Sequence, residues 1–234
     1  MKVAEQSKRV RQAYQGIDRT KRYRLMEAIQ LIKKAPKAKF DESVDLAFYL
    51  GVDPKKSDQA VRGVVGLPHG TGKKVRVVVF CKGEAEKNAR EAGADFVGAE
   101  DLIKKVEGGW LDFDVVVSTP DLMKDVGKLG RILGPKGLMP NPKAGTVTTD
   151  VAKAVKEVKA GRVEFKVDKQ GNINLSVGKL SFTEQAIGEN ALQVIEAVVH
   201  QRPSAVKGIF IKGIALSSTM GPGLKLDLSE FNVN

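Results

Sequence analysis

The hydrophobic pattern of this chain changes twice along its length, and this change restricts the possible folds more than any other feature. In residues 44–50 every second side chain is apolar, which is typical of a strand with one buried face. Residues 74–81 form instead a nearly continuous β-branched run, KVRVVVFC, as expected for a strand buried on both faces of a parallel sheet. The alternation returns from residue 162 onward. The sequence therefore predicts two kinds of sheet in one chain.

The middle of the chain alternates strands with helices. The buried run is followed by a helix-like segment, GEAEKNAREAG, a short strand, ADFVG, a second helix, AEDLIKKVE, and another buried strand, DVVVS. Thr119, Pro120 and Asp121 then open a further helix. Alternation at intervals of about ten residues indicates βαβ units and a Rossmann-like layer.

The two ends of the chain favour a mixed sheet with helices. Residues 23–35 carry apolar side chains at helical spacing, and Pro36 ends this helix. Residues 163–177 alternate on both sides of Gly171, which predicts a hairpin. A long helix over 183–201 and two further alternating strands complete the pattern.

These patterns predict a discontinuous two-domain protein that combines the α/β and α+β classes. Both termini, residues 1–69 and 160–234, are expected to form one mixed-sheet α+β domain. Residues 70–159 are expected to form an inserted Rossmann-like α/β domain. Glycines cluster near both junctions, so we expect the two connecting segments to act as a hinge.

Positive charge is concentrated at the start of the chain. The formal net charge is +11, and residues 1–39 hold twelve basic against three acidic side chains. Such a cluster attracts phosphate backbones, because each neutralised phosphate releases counterions. A solvated tail and a membrane-surface segment are the competing interpretations, although the few large apolar side chains disfavour the membrane-surface segment.

The composition disfavours several protein classes. No apolar run approaches the roughly 18–20 residues of a transmembrane helix, and the charged start of the chain does not resemble a signal peptide. One cysteine, Cys81, and two histidines, His69 and His200, leave little material for disulfides or metal sites. We therefore expect a cytoplasmic protein without metal, cofactor or membrane association.

Catalytic and nucleotide-binding motifs are weak. Asp112 and Asp114 precede a buried strand, where a carboxylate pair could serve as acid and base, but a strand-entry turn is the simpler interpretation. The P-loop pattern fails around Gly72, because Leu67 and Lys74 occupy its first and last positions. We expect no catalytic residues. A nucleotide-binding enzyme that uses the inserted domain is the alternative hypothesis.

Two segments combine groups that contact RNA. Between the first helix and the first strand, Lys37, Lys39 and Phe40 place basic groups beside an aromatic ring. The segment of residues 217–221, SSTMG, joins two strands with small hydroxyl side chains and a glycine, which allow close approach of nucleic acid. The alternatives are that Phe40 packs in the core and that residues 217–221 are an ordinary polar turn.

The segment 130–145, GRILGPKGLMPNPKAG, is rich in glycine and proline. Its LGPKG sequence is similar to the GxxG loop of KH domains, but Pro140 and Pro142 prevent the helix that continues beyond such a loop. We predict an exposed, rigid loop whose basic side chains contact phosphates or tRNA. These side chains are Arg131, Lys136 and Lys143.

Five segments, taken in order, resemble the bacterial large-subunit ribosomal protein L1 family of the mobile lateral stalk. They are AKFDESVDLAFYLGVDPKKSDQAVRGVVGLPHGTGK, GADFVGAEDL, GWLDFDVVVSTPDLM, KLGRILGPKGLMPNPKAGTV and STMGP. The resemblance covers nearly the whole chain. It implies a discontinuous α+β domain with a Rossmann-like insert, in which the discontinuous domain binds large-subunit ribosomal RNA.

The resemblance also implies partners and contact residues. The expected partners are ribosomal RNA within the large subunit, exit-site tRNA whose release the stalk assists, and the messenger of the protein's own operon, whose translation it would repress. RNA contacts are implied at Lys39, Phe40, Ser43, Ser217, Thr219, Met220 and Gly221. We expect specificity from Phe40 and residues 219–221, and bulk affinity from residues 1–39. A general RNA chaperone, which binds unrelated RNAs alike, is a further alternative.

Overall fold

The structure is a computed structural model that describes residues 8–231 of the chain. Its internal contacts divide the chain into two compact units. The first unit comprises the residues up to Gly72 and those from Val163 onward, and the second is Lys73–Arg162. These divisions lie three residues beyond the expected boundaries at 69 and 159. Within residues 8–231, no helix combines the length and the apolar character needed to cross a bilayer.

An antiparallel sheet of four strands forms the centre of the first unit. The strands are β1 (Ser43–Leu50), β7 (Asn172–Lys179), β8 (Ile211–Ser218) and β9 (Gly223–Lys225). They stand in the order β7, β1, β8, β9, so β1 and β8 are the inner strands. The even-numbered side chains of β1 are buried and the odd-numbered ones point outward, which confirms the predicted alternation.

Two helices, α2 (Leu25–Lys34) and α8 (Glu184–His200), pack on the inner face of this sheet. Ile29 of α2 and Ile187 of α8 join Phe48 of β1 in one apolar core. Helix α8 begins after Thr183, whose hydroxyl accepts a hydrogen bond from the Ala186 amide at 3.2 Å. The first unit also contains α1 (Lys8–Ala13) and two short 3₁₀ helices, Ser57–Gln59 and Leu228–Glu230.

A second, two-stranded sheet in this unit corrects one prediction. The hairpin expected over 163–177 does not form, because β6 (Arg162–Lys166) pairs with β2 (Arg62–Gly66), whereas β7 pairs with β1. Phe165 covers Gly63, where an added Cβ would lie 2.6 Å from the phenyl ring. Alternation determines which face of a strand is buried, but the partner strand is determined by such contacts between distant residues.

The second unit is built on a parallel sheet of three strands. These are β3 (Val77–Phe80), β4 (Phe96–Gly98) and β5 (Val115–Ser118), with β3 in the middle. All four residues of β3 are buried, as the continuous apolar run predicts. Val78 and Phe80 face one apolar core, and Val77 and Val79 face another, so both faces of the sheet are covered.

Helices cover both faces of this parallel sheet. The predicted helices are present as α3 (Glu84–Glu91), α4 (Glu100–Glu107) and α5 (Met123–Lys128), and α5 follows a 3₁₀ turn at Pro120–Leu122. The remaining elements are α6 (Gly130–Leu133), the 3₁₀ turn Pro142–Ala144 and α7 (Val151–Ala160). Helix α7 belongs to the core of Val77 and Val79, and α4 belongs to that of Val78 and Phe80.

Candidate nucleic-acid interface

The two segments predicted to contact RNA meet at one edge of the four-stranded sheet. The Ser43 amide donates to the Thr219 hydroxyl at 3.0 Å, and the Thr219 amide donates to the Ser43 carbonyl at 3.0 Å. Because β1 and β8 are antiparallel neighbours, the start of β1 lies beside the end of β8. We call Phe40, Ser43, Ser217, Thr219, Met220 and Gly221 the Thr219 surface.

Large apolar side chains are exposed on this surface. Phe40 is 55% exposed and Met220 is 47% exposed. The alternative that Phe40 is ordinary core is therefore wrong. Lys37 and Lys39 are exposed in the same segment as Phe40. Together these four side chains provide stacking and apolar contact beside two cations.

A buried carboxylate holds the two segments together from beneath. Glu42 is only 1% exposed. One of its oxygens accepts a hydrogen bond from the Ala38 amide at 2.8 Å, and the other accepts from the Ser218 hydroxyl at 2.7 Å and the Met220 amide at 3.0 Å. These three donors come from both sides of the interface, so Glu42 fixes the position of the Met220 backbone relative to residues 38–43.

The environment of Glu42 favours its ionised form. Burial opposes ionisation, but the hydrogen bonds from Ser218, Ala38 and Met220 outweigh burial and hold the pKa of this carboxyl below its ordinary value. The positive charge of Arg9 acts in the same direction. Glu42 is therefore a charged group at neutral pH, and its oxygens act as acceptors only.

The Ser218 side chain in turn explains the residue at position 221. Its hydroxyl, held by Glu42, lies 2.3 Å from where a Cβ on Gly221 would stand. Gly221 also donates its amide to the Ser218 carbonyl at 3.2 Å. A side chain at position 221 would displace the Ser218 hydroxyl, so only glycine fits the turn as it stands.

A lysine that sequence reasoning missed contributes charge at the same edge. Lys179 ends β7 opposite Ser43, and its ammonium donates to the Ser43 hydroxyl at 3.2 Å and to the Asp41 carbonyl at 3.3 Å. Glu42 was missed as well. The signal for Glu42 was its even number, since the alternation of β1 places it on the inward side, where a carboxylate needs partners. No comparable signal exists for Lys179, whose place depends on the pairing of β1 with β7.

The basic N-terminal segment packs on this unit from residue 8 onward. Ala13 and Tyr23 are buried, and the Tyr14 hydroxyl accepts a hydrogen bond from the Gly223 amide at 3.3 Å. The Arg19 guanidinium lies 4.1 Å from the centre of the Tyr14 ring. A free solvated tail is therefore wrong for the described part of this segment.

The predicted basic loop lies in the second unit. Arg131 and Lys136 are exposed, and the side chain of Lys143 lies outside the described part of the structure. Buried Leu133 anchors the loop in the core, and the Thr146 hydroxyl accepts from the Asn141 amide at 2.8 Å. These contacts give a fixed loop with exposed cations at its surface.

The groups considered for catalysis have structural roles. Arg76 forms ion pairs with both Asp112 and Asp114, and its amide also donates to Asp114 at 3.0 Å. Burial raises the pKa of the Cys81 thiol to about 11, which keeps it protonated and unreactive. Among the described residues, no three histidine, cysteine or acidic side chains are grouped to hold a metal ion.

Comparison with known proteins identifies related sequences. Residues 31–222 match the model of the Ribosomal protein L1p/L10e family. The chain is also 54% identical, over 224 residues, to the large ribosomal subunit protein uL1 of Protochlamydia amoebophila (strain UWE25). That alignment covers 96% of this chain and 95% of the relative.

Proposed function

The chain belongs to the ribosomal protein L1p/L10e family, and on this basis we propose that it binds folded ribosomal RNA of the lateral stalk through the Thr219 surface. As a member of this family it is a structural protein of the large ribosomal subunit and not an enzyme. The nucleotide-binding enzyme considered above is accordingly not favoured. The bacterial ribosome is cytoplasmic, in agreement with the expected location.

The observation that supports this proposal is the buried Glu42 network. Folded RNA is recognised by shape, 2′-hydroxyls and phosphates, which requires a surface whose groups are fixed in space. Glu42 holds the Met220 backbone, and the hydrogen bonds between Ser43 and Thr219 hold the two segments together, so the exposed Phe40 and Met220 side chains are presented from fixed backbone. A rigid, partly apolar surface of this kind can distinguish one RNA shape from another.

Charge would then supply affinity without specificity. Lys37 and Lys39 are exposed beside the Thr219 surface, and basic residues continue through the N-terminal segment. Their attraction to phosphates is long-ranged and falls with salt. We therefore assign bulk affinity to these cations and preference for the cognate RNA to the Thr219 surface.

Two finer functions follow from the same assignment. A messenger that reproduces the shape of the ribosomal site would occupy the same surface, so repression of the protein's own operon and ribosome assembly would compete for it. Exit-site tRNA, whose release the stalk would assist, is assigned to the second unit, where Arg131 and Lys136 are exposed on a fixed loop.

A binding experiment tests the main assignment. Thr219→Ala and Met220→Asp are expected to weaken binding to a transcript of the large-subunit rRNA stalk region far more than binding to a random RNA duplex. Leu192→Asp is the matched control for the second change, because Leu192 is 42% exposed on α8 of the same unit. Equal weakening for both RNAs would contradict the assignment and favour a general RNA chaperone.

A second binding experiment tests the role of Lys37 and Lys39. In the double variant Lys37→Gln/Lys39→Gln, the dependence of log affinity on log salt should become shallower by about 0.7–0.9 for each lost phosphate contact. The preference for the transcript over the duplex should stay unchanged. An unchanged salt slope would mean that these lysines contact no phosphate.

A further inference from the structure

A groove of about 420 Å³ lies on the outward face of the four-stranded sheet, away from the Thr219 surface. It is formed at the Tyr49 end of β1, together with Asn172 and Asn174 of β7, strand β8 and the residues around β9. We call it the Tyr49 groove. The side chains that matter for its chemistry are those of Arg22, Ala47, Tyr49, Lys212, Ala215 and Lys225.

Tyr49 is an aromatic side chain that the core does not use. It is 51% exposed, whereas its neighbours Phe48 and Leu50 are 1% exposed. The ammonium of Lys212 lies 5.2 Å from the centre of its ring. An exposed ring beside a cation is the arrangement on which unpaired nucleic-acid bases stack while their phosphates are neutralised.

The charge of the groove has one sign among the described residues that line it. Arg22, Lys212 and Lys225 contribute cations, and no lining residue is acidic. Asp45 on β1 and Asp227 after β9 are close in sequence to the lining but do not line the groove. The complementary ligand is therefore an anion.

The floor of the groove is formed by residues with small side chains. Ala47 and Ala215 face each other across β1 and β8, and Gly213 faces Tyr49. A Cβ added to Gly213 would meet nothing within 4 Å, so the space above this residue is open. A planar base can approach the backbone here and lie against the tyrosine ring.

The groove continues the face that ends at the Thr219 surface. The outward side chains of β1 run from Ser43 through Ala47 to Tyr49, and six residues of strand span about 20 Å. A short stretch of extended RNA can cover this distance and so contact both the Thr219 surface and the Tyr49 groove. Tyr49 is the one large exposed apolar side chain among the described residues that line the groove, which is too little for a stable protein interface.

We propose that the Tyr49 groove binds an unpaired nucleotide of the RNA held at the Thr219 surface. Its base stacks on Tyr49 over the floor of Ala47 and Ala215, and its phosphates contact Lys212 and Arg22. This inference rests on the proposed function and extends it, since it adds a second contact to the same RNA.

The test uses the full chain and the stalk-region transcript. Tyr49→Ala should weaken binding about tenfold, in the range found for loss of one stacked base. Tyr49→Phe, which keeps the ring, should stay within about twofold of the wild type. Ala215→Leu fills the floor and should weaken binding as Tyr49→Ala does. Phe96→Ala, at an exposed ring of the second unit, is the control and should change nothing.

Two further readouts depend on contact and not on folding. Ultraviolet cross-linking should attach a nucleotide to the peptide that contains Tyr49, and Lys212→Gln should lower the salt slope by about 0.7. Wild-type affinity in both Tyr49→Ala and Ala215→Leu would overturn the proposal. Binding of AMP that Tyr49→Ala abolishes, with unchanged affinity for the transcript, would also overturn it in favour of a free nucleotide.

Failure of the proposed function would be distinguishable from failure of this inference. If the wild type did not prefer the transcript over a random duplex, and Thr219→Ala had no effect, the Thr219 surface itself would be wrong. If Thr219→Ala weakened binding and neither Tyr49→Ala nor Ala215→Leu did, only the Tyr49 groove would be wrong.

Discussion

The two largest sheets of this protein use their faces differently. The parallel sheet of the second unit is covered on both faces, so Val78 and Val79, which point in opposite directions, are both fully buried. The antiparallel sheet of the first unit is covered on one face by α2 and α8. Its other face carries small and polar side chains such as Ser43, Ala47 and Ser217.

This difference shows where recognition can be built. A sheet buried on both faces directs most of its side chains into apolar cores, so its main contribution is to stability. A sheet with one open face keeps half of its side chains available, while the buried half holds the strands rigid. The Thr219 surface and the Tyr49 groove both belong to the open sheet, and each is backed by the core of Phe48 and Ile187.

The largest expected effect contrasts neighbouring residues in the two sheets. In β1, Phe48→Ala should lower the free energy of unfolding by about 3–5 kcal/mol, whereas Tyr49→Ala should change it by less than about 0.5 kcal/mol. In β3, Val78→Ala and Val79→Ala should each cost about 2 kcal/mol. Urea unfolding followed by circular dichroism, and by fluorescence of Trp110 for the second unit, measures these values.

Unequal effects of Val78→Ala and Val79→Ala, with one of them near zero, would show that one face of the parallel sheet is open in solution. The parallel sheet would then not differ from the antiparallel sheet in having both faces buried.

The second prediction concerns the carboxylate beneath the open sheet. Glu42→Gln replaces one carboxylate oxygen by an amide nitrogen, so either the Ala38 amide or the two donors at Ser218 and Met220 lose their acceptor. Binding to the stalk-region transcript should weaken by about 1–3 kcal/mol. Filter binding measures the change, and Glu107→Gln, an exposed carboxylate of the second unit, is the control.

If Glu42→Gln bound the transcript as tightly as the wild type, the buried network would not position the Thr219 surface. Stability without recognition would then be the role of both sheets.

A third prediction uses the pH dependence of the same group. Because the pKa of folded Glu42 lies below its ordinary value of 4.5, its stabilising effect is present above that value and is lost as the pH falls through the folded pKa. The difference in unfolding free energy between the wild type and Glu42→Gln should therefore shrink as the pH falls below 4.5. Thermal unfolding at each pH measures it. A difference that grew on acidification would mean that Glu42 is protonated in the folded protein.

The smallest expected effect compares cations of the two units. Lys179→Ala, beside Ser43 of the Thr219 surface, should weaken transcript binding by a few fold and lower the salt slope by about 0.7–0.9. Lys136→Ala, in the second unit, should leave binding to this isolated transcript unchanged. Equal losses for both variants, measured by salt titration, would place part of the rRNA contact on the second unit.

Much of the fold could be predicted because it depends on local patterns. The period of two in β1 and the apolar run in β3 each fix which faces are buried, and Thr183 and Pro36 mark helix ends. The hairpin over 163–177 was wrong because the partner of β6 is set by Phe165 packing on Gly63, a contact between residues far apart in sequence.

In the candidate site, too, only the residues that depend on local patterns could be predicted. Phe40 and Thr219 could be named from their residue types and from family resemblance, and they remain predictions as RNA contacts. Glu42 could have been found by extending the alternation of β1 by one position. Lys179 and the Tyr49 groove could not, because both depend on which strands stand side by side.

The strand order of the first unit determines when its surface can exist during synthesis. β1 leaves the ribosome early, but both of its neighbours, β7 and β8, follow the whole second unit in the chain. The second unit is continuous in sequence and can fold as it emerges, while β1 waits with two unpaired edges. Thr219 reaches Ser43 only when nearly all of the chain has been made. A nascent or truncated chain that stops before residue 219 would therefore lack the Thr219 surface, and only chains completed beyond that point could prefer the cognate RNA.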